Sequence, residues 1–366
     1  MESSESRCAL ITKSVRHREL LNGKGIALSI AGLSLLALIA KGQSHQVSVL
    51  QPAQPAGDLP TIKVDVDVVN ILTTVRDKRG ALIPNLKKED FTVLEDGKAQ
   101  PIKYFTRETD LPLTIGLLID VSVSQRDLIE IERDAATQFF FQVLGKEDKA
   151  FLMAFAEDAQ LLQDYTNSAK LLTQMMRGLP IRPDVGNYGP SPVHNAGAWL
   201  GVVSCDAVPT AGTVLYDAVY LAATEKLQGE MGRKVIIVIT DGVDAGSRLR
   251  VDDAVRAAQK TDAVIYSIEY YDPRSYCGFA GGGGYAALHR MSDETGGRVY
   301  KAGGNHTLEV VFSKLQDEMR NQYAIGYTPI NETKDGSYHH LRIKLANKDL
   351  SAQARKGYYT VKPESK

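Results

Sequence analysis

The chain has few of the residues that build soft metal centres. Its 366 residues include 3 cysteines and 7 histidines, and no Cys-x-x-Cys or His-x-x-x-His spacing occurs. This excludes zinc-finger patterns and the common helical zinc-protease motif. A phosphate loop is also missing, because the glycine run 281–284 lacks the following Lys and Ser or Thr. We expect that run to be a flexible loop.

Positive and negative side chains are almost equal in number. Lys and Arg number 43 against 44 for Asp and Glu, which gives a net charge of -1. Without a basic field, nucleic acid is not a predicted partner. The content of 43% hydrophobic and 24% charged residues is ordinary for a globular protein, and the length has room for two domains.

Long hydrophobic runs are missing, apart from a short one at residues 26–40. Basic residues precede it and the small residues Ala40 and Gly42 follow, which is typical of a secretory signal. A membrane-spanning helix needs about 20 apolar residues. Residues 1–42 are therefore either a cleaved signal peptide or a retained N-terminal membrane anchor. Both alternatives predict an exported protein that is periplasmic, at the cell surface or secreted, with no other membrane contact.

A proline-rich linker at 43–60 is followed by residues with strand-like alternation at 61–110. Within this segment Asp96-Gly97 predicts a hairpin, with 102–105 as the return strand. The same alternation returns at 323–361. Each set of strands has too few apolar residues to be stable alone. We therefore predict that the two sets pack together as a β-sandwich-like domain.

Residues 111–322 alternate between apolar strands and amphipathic helices. The pattern predicts an α/β domain with a doubly wound, mostly parallel sheet covered by helices on both faces. In such sheets, ligands bind beyond the carboxyl ends of the strands. The first predicted helix has an apolar stripe formed by Leu128, Ile131, Ala135, Phe139 and Val143.

Oxygen-bearing side chains stand at the predicted carboxyl edge of this sheet. Asp120, Ser122 and Ser124 follow one apolar strand, Asp241 ends another, and Thr213 begins a helix. Carboxylate and hydroxyl oxygens suit a hard divalent cation such as Mg²⁺. The first three residues also fit an alternative role as a helix N-cap, and one turn can serve both purposes.

Taken together, Asp120-x-Ser122-x-Ser124, Thr213 and Asp241-Gly242 resemble the metal-ion-dependent adhesion site (MIDAS) of von Willebrand factor type A (VWA) domains. The resemblance covers residues 111–322 and implies a Rossmann-like fold. It implies that Asp120, both serines and Thr213 hold Mg²⁺ directly or through water, and that Asp241 binds it through water. Mn²⁺ and Ca²⁺ are the alternative ions. The flanking stretches 91–97 and 355–359 are similar to exported bacterial VWFA-related proteins.

Two long loops, 180–212 and 270–285, are predicted at the same edge of the sheet. They carry Cys205 and Cys277. In an oxidising compartment we expect a disulfide between them, and the alternative is two unrelated buried thiols.

The sequence thus predicts a non-enzymatic, adhesion-type module that binds a protein. The expected partner presents an acidic side chain to the metal. A metal-assisted hydrolase is one alternative, although no base or nucleophile stands beside the predicted site. A structural scaffold without metal is the other.

Overall fold

The structure is a computed structural model that describes residues 68–108, 111–122, 125, 129–179, 212–270, 281–303, 306–330 and 334–360. The N-terminal segment with its predicted signal or anchor lies outside these ranges. No helix within them is long and apolar enough to cross a membrane.

Before the central sheet, the chain forms four short strands and one turn of 3₁₀ helix at Lys88–Asp90. The strands are β1 (Val69–Arg76), β2 (Phe91–Glu95), β3 (Lys98–Gln100) and β4 (Ile102–Glu108). The Asp96-Gly97 turn joins β2 to β3, with a positive φ at both residues, as a tight hairpin turn requires.

The predicted return strand of this hairpin was wrong. Residues 102–105 belong to β4, whereas the strand that returns from the Asp96-Gly97 turn to pair with β2 is β3. Pro101 lies between β3 and β4 and has no N–H to donate to a ladder. The chain leaves one sheet at this proline and joins another.

The central sheet has six strands, all parallel except the antiparallel edge strand β7. The order is β10-β9-β8-β5-β6-β7. The strand β5 lies inside the sheet with all eight residues buried, as its unbroken apolar sequence predicts. The strands are β5 (Leu113–Asp120), β6 (Lys149–Phe155), β7 (Ala159–Thr166), β8 (Arg233–Thr240), β9 (Ala263–Tyr270) and β10 (Val299–Ala302).

Helices cover both faces of this sheet. One core contains side chains of α1, α2 and α6, and a second core on the opposite face contains side chains of α3, α4 and α5. Adjacent β5 residues point to opposite cores, with Leu117 in the first and Leu118 in the second. The helices are α1 (Ile129–Val143), α2 (Ala169–Arg177), α3 (Leu215–Leu221), α4 (Val251–Lys260), α5 (Gly281–Thr295) and α6 (Leu308–Arg320). A π-helical segment, Ala222–Leu227, continues α3.

Two details of the predicted helices need correction. Ala135 and Phe139 of the predicted stripe are buried, but Ile131 is 47% exposed, and Ile129 and Glu132 are buried on this helix in its place. Because Glu132 is charged, a search for apolar residues passes over it and selects Ile131. The glycine run 281–284, expected to be a flexible loop, forms the first turn of α5. Its lack of side chains lets the helix approach a neighbouring loop closely.

After α6 the chain adds four strands: β11 (Gln322–Tyr327), β12 (Tyr338–Leu345), β13 (Ser351–Ala354) and β14 (Gly357–Tyr359). They interleave with the N-terminal strands in two sheets of four strands, ordered β13-β1-β11-β4 and β14-β12-β2-β3. One core joins both sheets, with Ile71, Val93 and Tyr327 among its buried members. The predicted fold class, a doubly wound α/β domain beside a β-sandwich-like unit, is confirmed. The predicted boundaries at 110 and 322 stay predictions.

Candidate functional site at the carboxyl edge of the sheet

Asp120, the last residue of β5, is the centre of the site. Its side chain is fully buried. Oδ1 accepts a hydrogen bond from the backbone N–H of Ser122 (2.9 Å), and Oδ2 accepts one from the Thr240 hydroxyl (2.6 Å). Thr240 ends the neighbouring strand β8, so the parallel register brings the two strand ends together. The carboxylate is thus fixed from its own loop and from the next strand.

The segment that carries Thr213 is joined to the same place through the end of β6. The N–H of Val214 donates to the carbonyl of Ala156 (2.8 Å), and the N–H of Val121 donates to the carbonyl of Phe155 (2.9 Å). Adjacent residues of one strand end therefore hold the loops after β5 and before α3. Thr213 is 7% exposed, close to the value for Ser122.

The third segment follows β8 and contains Asp241. Its Oδ1 accepts the N–H of Val243 (2.9 Å), which shapes the loop around the carboxylate. The N–H groups of Ala245 and Gly246 both donate to the carbonyl of Thr213 (3.1 Å each). The loop after β8 is thereby bonded to the segment before α3.

The first turn of α5 packs against this loop. Gly242 has a φ of +83°, and a Cβ at Gly284 would lie 2.7 Å from the carbonyl oxygen of Asp241. A side chain at either glycine would push the helix away from the loop. Gly242 and Gly284 therefore allow the first turn of α5 to pack directly against the loop that carries Asp241.

Electrostatics set this site apart from an ordinary helix cap. Burial, followed by the charge of Asp241, raises the pKa of Asp120 from 3.8 to about 7, although hydrogen bonds from Ser122 and Thr240 act in the opposite direction. None of these influences is a positive charge. The site holds two carboxylates close enough to repel each other, with one of them out of water.

Sequence reasoning missed a third carboxylate. Glu132 in α1 is fully buried, and neither carboxylate oxygen has a hydrogen-bond partner within the described part of the chain. Burial, and then the charge of Asp120, raise the pKa of Glu132 well above 4.5. Gln125, between β5 and α1, is likewise buried with both amide atoms unpartnered among the described residues. The sequence did contain one sign of this residue, because Glu132 is an acidic residue on the otherwise apolar face of α1.

Asp244, in the loop after β8, organises the start of α3. Its Oδ1 accepts the Ser247 hydroxyl (2.5 Å) and the N–H of Tyr216 (3.3 Å). Asp217 continues the network by accepting the N–H groups of Arg248 and Leu249 (3.1 and 3.0 Å). These bonds hold the loop after β8 against α3 and do not involve the predicted ligands.

The structure brings Asp120, Ser122, Thr213 and Asp241 to one edge of the sheet. Ser124, Cys205 and Cys277 lie outside the described residues, so the fifth predicted ligand and the predicted disulfide stay predictions. The metal assignment of the other residues is also a prediction. The site is a buried acidic centre in which the Asp120 carboxylate accepts hydrogen bonds from hydroxyl groups and from the backbone.

No family model matches the chain, and no curated protein matches it. Among solved structures, an aerotolerance-related membrane protein from Bacteroides fragilis is 14% identical, with 57% of this chain and 98% of that chain covered and a TM-score of 0.40. The SpRpn10 VWA domain is 14% identical, with 56% and 95% covered and a TM-score of 0.36. Proximal thread matrix protein 1 from the mussel byssus, solved with a zinc-occupied MIDAS motif, is 12% identical, with 62% and 50% covered and a TM-score of 0.41.

The α/β domain is VWA-like in fold. Its sheet has six strands with one antiparallel edge strand, and helices cover both faces. The strands that end beside Asp120 and Asp241, β5 and β8, are neighbours. The three solved structures have TM-scores below 0.5 and identities of 12 to 14%, so they carry no inference about the chemistry of this chain.

Proposed function

We propose that the chain is an exported, divalent-metal-dependent protein-binding module, with the metal at the edge formed by Asp120 and Asp241. One observation carries the proposal. Burial and a neighbouring carboxylate raise the pKa of both Asp120 and Glu132, the neighbour being Asp241 for Asp120 and Asp120 for Glu132, and no cation is among the groups that act on either. Buried carboxylates that stay ionised require a paired cation. A bound divalent ion would supply it.

The donor set favours Mg²⁺. Asp120, Ser122, Thr213 and Asp241 offer carboxylate and hydroxyl oxygens, with Ser124 as the further predicted donor. Mg²⁺ takes six oxygens, retains water and needs only one or two carboxylates, whereas Ca²⁺ takes six to eight ligands. Mn²⁺ accepts the same donors and is the nearest substitute.

A partner side chain is the proposed occupant of the remaining coordination position. Hydroxyl ligands are neutral, so the ion would keep positive charge toward solvent and attract a carboxylate from another protein. Because Glu132 is enclosed, it cannot reach a substrate at the edge of the sheet. We therefore propose binding without catalysis. The predicted signal or anchor supports an activity outside the cytoplasm.

The test is capture of partners from the native cell envelope with immobilised protein, in Mg²⁺ and in excess chelator. The matched variants are Asp241→Asn, which keeps the acceptor for the N–H of Val243, and Asp252→Asn on the exposed part of α4. We expect the same bound protein for wild type and Asp252→Asn in Mg²⁺, and none with chelator or Asp241→Asn. Binding that survives both the chelator and Asp241→Asn would refute the proposal.

A further inference from the structure

A second group of metal-ligating side chains lies in the β-sandwich-like unit. Glu95 ends β2, Asp96 occupies the following turn, and His339 is on β12. One ligand atom from each of the three lies within 4.8 Å of the other two. The group stands on different strands from the Asp120 site and does not depend on the function proposed for that site.

The backbone fixes the three residues to one another. Strand β12 pairs with β2 so that Leu341 faces Glu95. The N–H of Asp96 donates to the carbonyl of His340, and the N–H of His340 donates to Oδ1 of Asp96 (2.9 Å each). The turn is therefore held to β12 by a reciprocal pair of hydrogen bonds. Such support preorganises ligands instead of leaving them on mobile surface chains.

The two separations from His339, one of them a hydrogen bond to Asp96, are close to those between ligands of one small cation. Nδ1 of His339 is 2.8 Å from Oδ2 of Asp96 and 3.8 Å from Oε1 of Glu95. Ligands around a tetrahedral Zn²⁺, with bonds of about 2.0 to 2.2 Å, stand about 3.3 Å apart. The two measured separations lie on either side of that value. The gap to Glu95 exceeds a hydrogen bond, although this carboxylate is 4% exposed.

Two tyrosine hydroxyls orient the Glu95 carboxylate. The hydroxyls of Tyr327 and Tyr358 both donate to Oε2 of Glu95, so that Oε1 faces the histidine. The Tyr358 ring also stacks on His339, with centroids 5.5 Å apart. Outer partners of this kind set ligand orientation in known metal sites.

The second imidazole nitrogen has its own partner. Nε2 of His339 lies 3.1 Å from the Ser337 hydroxyl. When a metal takes Nδ1, the Nδ1 proton leaves to solvent, and Nε2–H donates to Ser337. The side chain of His339 is 12% exposed and that of Asp96 is 46% exposed, which gives the site an open side for entry and for a water ligand.

From this geometry we propose that Glu95, Asp96 and His339 form a site for a transition metal of the Zn²⁺ class, separate from the site at Asp120. A histidine nitrogen with two carboxylates suits Zn²⁺ and Co²⁺ better than Mg²⁺. Three protein ligands leave a fourth position for water or a partner group.

Calorimetry with Zn²⁺ alone tests the proposal, in an Asp120→Ala background so that only the second site is measured. His339→Gln removes the ligand, and His340→Gln is the matched control, because that neighbouring side chain is exposed. We expect one equivalent of Zn²⁺ to bind Asp120→Ala and Asp120→Ala/His340→Gln alike. Adding His339→Gln should weaken binding at least 100-fold. Equal affinity in the two histidine variants would overturn the proposal.

Two further measurements keep the test independent of folding. Tyr358→Phe keeps the stacked ring and removes one hydroxyl from Glu95, so we expect about tenfold weaker Zn²⁺ binding. Co²⁺ added to the same Asp120→Ala protein should give the strong visible bands of a tetrahedral complex, and Zn²⁺ should displace them. Weak, octahedral-type bands that persist after His339→Gln would also overturn the assignment.

Discussion

Replacing Asp120 by asparagine should make the metal-free protein more stable at pH 8. Asparagine has nearly the same shape, keeps an acceptor for the N–H of Ser122 and carries no charge. The wild-type carboxylate is fully buried, beside Asp241, in a place where its ionised form is disfavoured. A substitution at a predicted ligand is thus expected to stabilise the protein whenever the metal is removed.

The size of the effect follows from the pKa of Asp120. A rise from 3.8 in the unfolded chain to about 7 in the fold corresponds to roughly 4 kcal/mol when the group is ionised in both states. Because the folded pKa is the higher one, the native state binds more protons, and wild-type stability falls as pH rises from about 4 to 7. The asparagine amide fits the Thr240 hydroxyl less well, so we expect a gain of about 2 to 4 kcal/mol at pH 8.

Urea unfolding in excess chelator at pH 8 and pH 4 measures this gain. The variant should be more stable than wild type at pH 8. The difference should nearly vanish or change sign at pH 4, where Asp120 is protonated in the folded protein and only about half ionised in the unfolded chain. An equal loss of stability at both pH values would refute the reasoning, since it would show that Asp120 is a structural residue whose charge does not matter.

Further substitutions test other parts of the account. Glu132→Gln should stabilise the metal-free protein at pH 8 but not at pH 4, since the fold raises the pKa of Glu132; the exposed Glu130→Gln should change little in the same urea series. Arg76→Met should lower the free energy of unfolding by about 3 kcal/mol, because the guanidinium lies 2.5 Å from the fully buried Glu318. Lys78→Met removes one partner of an exposed ion pair and should lower the free energy of unfolding by under about 1 kcal/mol. Gly116→Ala should cost about 2 kcal/mol by thermal unfolding, because its Cβ would meet the Phe151 ring at 2.3 Å, and Phe151→Leu should recover part of that loss in the double variant.

Parts of the fold and the site could be predicted from the sequence because they depend on strong local patterns. An unbroken apolar run predicted β5 as a buried strand, and the parallel topology implied that Asp120 and Asp241 would meet. The same logic placed Thr213 at this edge. These inferences need only the period of the side chains and the rule that parallel strand ends share one edge.

Other features depend on packing between distant segments. Glu132 lies in the buried stripe of α1, and a search for apolar periodicity selects Ile131 in its place. The first turn of α5 lies against the loop after β8, where Gly284 closely approaches Asp241. The return strand of the hairpin depends on Pro101 and on the pairing of β4 with β11, more than 200 residues away in the chain. The periodicity of apolar residues alone does not reveal these contacts.

Calorimetric titration with Mg²⁺ tests the central claim most directly. The proteins are wild type, Asp120→Asn and Asp252→Asn, the last matched in charge and located in an exposed ion pair with Arg290. The account predicts one saturable Mg²⁺ equivalent for wild type and Asp252→Asn, with none for Asp120→Asn. No binding by wild type, or the same binding by Asp120→Asn, would contradict it.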